Sequence, residues 1–198
     1  MKFANFPVLI PAFTAQIAID GPLVISSNLL NIPFLPNAGT LVSEPGYEPP
    51  LKATFIHGSD FLRRDPDGQW VRLEVSSVAR DASGAVLRFN YNGVVDVSGD
   101  EGRVIRGEEN ATTTGFGNAF VQVRFETDAP GLKLLQDKMY VGSGRFVIEE
   151  DQPIIVEYKI SEFAPLRAHR RDPQNSSLQL FVSAGNALLI SPPLVCQS

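Results

Sequence analysis

His57 and Asp60 are the two side chains in this sequence best equipped for proton transfer. An imidazole changes charge near neutral pH, and a carboxylate three positions on can orient it or act as a base beside a ligand. On an extended strand, residues three apart face opposite sides. The pair therefore converges only if Gly58-Ser59 forms a turn or bulge. The alternative is a structural bulge whose Asp60 bonds local amides. Tyr91 is the third candidate proton handler, because its hydroxyl sits on an otherwise apolar ring. Trp70, Phe89, Phe125, Tyr140 and Tyr158 are candidate ligand contacts, together with Glu126. The aromatic set either lines a site for a flat apolar or phenolic ligand or plugs a solid core.

Glu126 belongs to a polar stripe that also holds Arg72, Glu74, Arg88, Asn90, Gln122, Arg124 and Glu157. Such a stripe is the solvated outside of a sheet, with cross-strand ion pairs worth little each. Turned inward, its Glu and Arg members would hold a polar group of a ligand. No other catalytic motif is present. Gly115-Phe-Gly117 and Gly142-Ser-Gly144 lack the strand before and the helix after that a dinucleotide loop requires. With two His and one Cys in the chain, no metal site is expected, and no cofactor is expected.

These residues need a scaffold, and the stretch Trp70 to Val97 supplies its clearest piece. Val71, Leu73 and Val75 alternate with Arg72, Glu74 and Ser76. After Asp81-Ala-Ser-Gly84, Leu87, Phe89 and Tyr91 alternate with Arg88, Asn90 and Asn92. Period-two alternation around a turn is a β-hairpin. Similar alternation predicts strands over Phe13–Asp20, Leu51–Phe61, Phe120–Thr127 and Ile154–Ile160. Shorter strands are expected at Leu23–Ser26, Tyr140-Val141 and Arg145–Ile148. Asn28 to Pro50 reads as a long ordered loop with an extended piece near Thr40–Ser43. Ser98 to Glu109 reads as a Gly-rich loop holding a short strand at Val104-Ile105. One helix is expected, from Asp128 to Lys138, capped by Asp128 with Pro130 in its first turn. About eight short strands and regularly spaced turns predict an all-β antiparallel barrel or sandwich. Closure into a barrel removes exposed edges.

The chain has 198 residues, 43% of them hydrophobic, enough for a sizeable core. We divide it into a barrel domain, 1–163, and a C-terminal extension, 164–198, expected to be partly disordered. Net charge is −5 with no basic stripe, which argues against nucleic acid as a partner. The lone Cys196 forms no internal disulfide and suits a reducing, cytoplasmic location. Pro7 and Pro11 interrupt the apolar start, and no apolar run reaches membrane-spanning length. The sequons at Asn110 and Asn175 carry little weight without a leader.

Several phrases occur together and in order: His57-Gly-Ser-Asp60, Asp81-Ala-Ser-Gly84, Phe89-Asn-Tyr91-Asn-Gly93, Phe116-Gly-Asn-Ala-Phe120, Tyr140-Val-Gly-Ser-Gly144 and Val156-Glu-Tyr158. As a set they resemble a fungal branch of the calycin-like β-barrel family known as domain of unknown function 3237, over Pro11 to Phe163. The resemblance implies an up-and-down barrel similar to fatty-acid-binding proteins, and genes beside secondary-metabolite enzymes. It implies no catalytic role for any residue.

The expected function is a cofactor-independent enzyme of cyclase, isomerase or dehydratase type, acting on an apolar polyketide- or terpenoid-like molecule inside the barrel. The alternatives are a non-catalytic carrier of hydrophobic ligands and an assembly protein with a filled barrel. A hydrophobic small molecule is the expected partner, and a homodimer is left open.

Overall fold

Alternation in the sequence becomes alternation of burial in the computed structural model, which describes residues 6–165. In β8 (Ala119–Glu126) every second residue is buried: Ala119, Val121, Val123 and Phe125. The elements before it are β1 (Val8–Ala18), β2 (Leu23–Ser26), β3 (Leu29–Pro33), β4 (Thr40–Ser43), β5 (Lys52–Arg64), β6 (Trp70–Asp81), β7 (Val86–Asp96) and α1 (Asp100–Arg106). A 3-10 turn at Lys133–Asp137, β9 (Tyr140–Val147) and β10 (Ile155–Ala164) follow.

All strand pairings are antiparallel, and β5 through β10 with β1 form a meander that closes through β4, which pairs with both β1 and β5. Both β3 and β4 lie along the other edge of β5, and together they fill one position of a closed eight-strand barrel. The β2 strand pairs with β3 to form an arm on that wall. The hairpin turn is built as expected: Asp81 accepts the backbone N–H groups of Ser83 (2.9 Å) and Lys52 (3.0 Å). The expected extension falls on 164–198, which, beyond Ala164 and Pro165, lies outside the described residues.

Three local expectations need correction, the first being β3, which lies in the stretch Asn28 to Pro50 that reads as a loop. The α-helix is at Asp100–Arg106, where the sequence reads as a loop with a short strand. Asp100 and Glu101 open it, Arg103 and Arg106 end it, and Gly107 closes it with φ 69°. That order of charge suits the helix dipole. Gly102 lets it lie flat on the end of β7, since a Cβ there would stand 2.0 Å from the Val97 carbonyl oxygen. Conversely, Asp128 to Lys138 is a turn followed by the 3-10 piece. Thr127 Oγ1, not Asp128, accepts the Ala129 N–H, and Leu135 N–H bonds back only three residues to Leu132. Leu132 and Leu135 are buried while Leu134 is 63% exposed, too narrow an apolar face for a longer α-helix.

One half of the barrel is filled. Phe13, Phe55, Phe89, Phe125 and Tyr140 meet there, with ring centroids 5.1–5.6 Å apart along the chain of contacts. Tyr47 closes that end. Its hydroxyl donates to Glu162 Oε2 at 2.6 Å and accepts from Lys138 Nζ at 3.0 Å, with Tyr140 Oη 3.0 Å away. Burial pushes the Tyr140 phenol up to about 12, so this seal is uncharged at its tyrosines near neutral pH.

Candidate functional site

The other half of the barrel is hollow. A cavity of about 430 Å³ opens between α1, the turn Ile19–Pro22 and the loop before β10. Its walls are mostly aliphatic: Ile32, Leu62, Leu73, Val95, Val104 and Val156, with Phe34 and Phe146. The size falls within the range of small-molecule sites. Its polar lining includes Asp60 of β5, Tyr91 of β7 and Tyr158 of β10, with Asp20, Arg106, Arg145 and Gln152 also bordering it.

Asp60 is 8% exposed. Its Oδ1 accepts the Glu74 backbone N–H at 3.0 Å, and among the described residues no donor is placed on Oδ2. Burial pushes its carboxyl up to about 7, against the pull of the Glu74 amide. Among the described residues no Lys or Arg forms an ion pair with it. A carboxyl that changes charge near neutral pH inside an apolar cavity is the usual state of a general acid or base. Tyr91 and Tyr158 lie side by side, with ring centroids 5.1 Å apart. Burial raises both phenols first, and the negative charge of Asp60 raises them further, so both remain hydrogen-bond donors.

Tyr158 is set by its neighbour across the ladder. Gly144 pairs with it, and a Cβ at Gly144 would lie 2.4 Å from Tyr158 Cε1. Gly144→Ala is therefore expected to displace the Tyr158 ring and disturb its edge-to-face contact with Tyr91. The expected cost is about 1–3 kcal/mol of stability, read by denaturant unfolding, together with weaker binding of apolar ligands. At the mouth, Arg145 is held by Glu157 at 2.9 Å and lies 4.9 Å over the Phe116 ring. Arg106 is held by Glu108 at 2.8 Å.

The structure does not bring His57 to Asp60. A register shift falls between Phe55 and His57, at Ile56 and so before the pair rather than inside it. From His57 onward the strand is regular, and the two residues face opposite sides. His57 is exposed on the outer wall beside Ser76, Arg88 and Glu126. Glu126 is exposed too, paired with Arg88 at 3.2 Å. Trp70 is 37% exposed at the start of β6 and does not line the cavity. Phe89, Phe125 and Tyr140 belong to the filled half. Of the nine candidates, Asp60, Tyr91 and Tyr158 line the cavity. The α1 contribution was missed with the helix itself; its signal was the acidic start, basic end and following Gly. Among the described residues no cluster of His, Cys, Asp and Glu could hold a metal ion, and no helix is long and apolar enough to cross a membrane.

Fold and cavity together define a half-filled β-barrel with a small-molecule-sized chamber at one end. The chain belongs to the family described as "Protein of unknown function (DUF3237)", whose model matches residues 7–163. A conserved protein of unknown function from Rhodopseudomonas palustris has the same fold, with a TM-score of 0.63 at 19% identity, covering 82% of this chain and 99% of its own. A beta-barrel like protein from Acinetobacter baumannii gives 0.58 at 17%, covering 82% and 99%. A structure titled an enzyme, from Penicillium herquei, gives 0.50 at 14%, covering 82% and 98%. These identities speak to fold alone. No curated protein matches the sequence.

Proposed function

We propose that the protein is a cofactor-independent enzyme that moves a proton on an apolar small molecule held in the chamber, in a reaction of isomerase, lyase or cyclase type. The observation that carries this is Asp60: a buried carboxyl with no cationic partner among the described residues, facing the cavity beside two phenols. Asp60 takes or gives the proton, and the Tyr91–Tyr158 pair donates to the oxygen on which charge develops. The aliphatic walls bind the carbon skeleton and exclude water, which suits a polyketide- or terpenoid-like substrate of secondary metabolism. That a distant barrel of similar fold is titled an enzyme supports the view that this architecture admits catalysis, though fold alone assigns no reaction.

A carrier of hydrophobic ligands would need the cavity but not Asp60, so the two functions separate cleanly. A panel of cyclic ketones and enols is incubated in deuterated buffer, and exchange at the carbon beside the carbonyl is followed by NMR. We expect the chain to accelerate exchange for those members that raise its melting temperature. Asp60→Asn is expected to remove the acceleration by roughly 100-fold or more, while His57→Ala leaves it unchanged. Tight binders that show no exchange above buffer would establish the carrier instead.

A further inference from the structure

The β2–β3 arm leads straight out of the cavity lining: Gly21 and Pro22 border the cavity, and β2 begins at Leu23. Every residue of β2 is exposed, with Leu23, Val24 and Ile25 leaving 58%, 75% and 54% of their surface to solvent. Across the ladder from Leu23 lies Asn31, and beyond it Phe61, 44% exposed. Three consecutive exposed aliphatic side chains on an edge strand mark an interaction site.

The base of the arm is cationic. Arg63 pairs in register with Leu29, and the Arg64 backbone N–H donates to the Asn28 carbonyl. Neither guanidinium has an ion-pair partner among the described residues. Of the acidic groups nearby, one is in an ion pair and two accept backbone N–H groups. Asp20 accepts the Gly21 N–H, Asp65 holds Arg72 at 2.6 Å, and Asp67 accepts the Gln69 N–H. An apolar tip above two unpaired arginines matches the profile of a bilayer surface, where aliphatic side chains enter the acyl boundary and arginines meet phosphates.

We propose that the arm docks this protein onto a lipid surface carrying anionic headgroups, with Leu23, Val24 and Ile25 inserted and Arg63 and Arg64 on the phosphates. The cavity mouth then faces the membrane, where apolar molecules concentrate. This docking stands whether or not Asp60 performs chemistry.

The test uses the full chain and phosphatidylcholine vesicles with and without phosphatidylserine. Trp70 is the sole tryptophan and lies one hairpin from Arg64, next to Val71, the register partner of Arg64. We expect co-sedimentation with the phosphatidylserine vesicles and a blue shift of Trp70 emission. The triple variant Leu23→Ser, Val24→Ser, Ile25→Ser should lower binding by roughly tenfold or more while circular dichroism stays unchanged. Arg63→Glu with Arg64→Glu should remove the preference for phosphatidylserine. Three results overturn the proposal: no co-sedimentation with either vesicle, binding that the triple variant leaves intact, or a dimer in light scattering that the triple variant dissolves.

Discussion

Asp60→Asn is expected to stabilise the protein at about pH 8 by roughly 4 kcal/mol, even as it removes the proposed activity. The folded chain holds the Asp60 proton up to about 7, against 3.8 for an ordinary aspartate, because burial penalises the charge. The folded state thus binds this proton more tightly than the unfolded state does. The stability it contributes is complete below the unfolded value and is lost as pH rises through about 7. Asparagine stays neutral throughout, and its side-chain oxygen can still accept the Glu74 N–H. Urea unfolding of both proteins should therefore show a gap that is largest at about pH 8 and closes toward about pH 4. A gap of constant size across that range would mean that Asp60 does not titrate as the geometry requires. A carboxyl kept at such a cost to stability is more readily explained by function than by folding.

Phe125→Ala is expected to lose about 3–5 kcal/mol of stability with little direct effect on the chamber. Phe125 is 3% exposed, and its ring meets Phe13, Phe89 and Tyr140 at 5.1–5.5 Å. It does not line the cavity. If the alanine variant does not fold, Phe125→Leu should lose about 1 kcal/mol and remain measurable. Apolar ligand affinity, measured by titration of whichever variant folds, should stay close to that of the parent. Tyr91 inverts this pattern: Tyr91→Phe keeps the ring against Phe89 and removes the hydroxyl, so activity falls much further than stability. A marked affinity loss at Phe125, or an activity loss at Tyr91 no larger than its loss of stability, would contradict the division into filled and hollow halves.

That division shows how far the sequence can be read. Alternation placed β6, β7 and β8 well, because each buries one face against the barrel interior and the other faces water. It also identified Phe89, Tyr91, Phe125, Tyr140 and Tyr158 as inward. What alternation cannot give is height along the barrel axis. Which inward rings stack into the plug and which border the chamber depends on the stagger between strands, a property of closure rather than of any one strand. Tyr91 and Phe89 are two residues apart and lie on either side of that boundary. The Ile56 bulge was equally hidden, and moving it by two residues would have put His57 and Asp60 on one face. β3 escaped notice because Asn31 and Pro33 make Leu29–Pro33 resemble a loop, yet its amides are satisfied by β5. The site depends on these irregularities, so it was less legible than the fold.

The central claim is that a carboxyl titrating near neutrality sits in an apolar chamber open to ligands. Carbon-13 NMR of the aspartate carboxyls, with Asp60→Asn used to assign the signal, measures this directly. The midpoint should fall at about 7 in the free protein and move when a neutral apolar ligand saturates the chamber. A midpoint in the ordinary aspartate range, or one that no bound ligand moves, would contradict it.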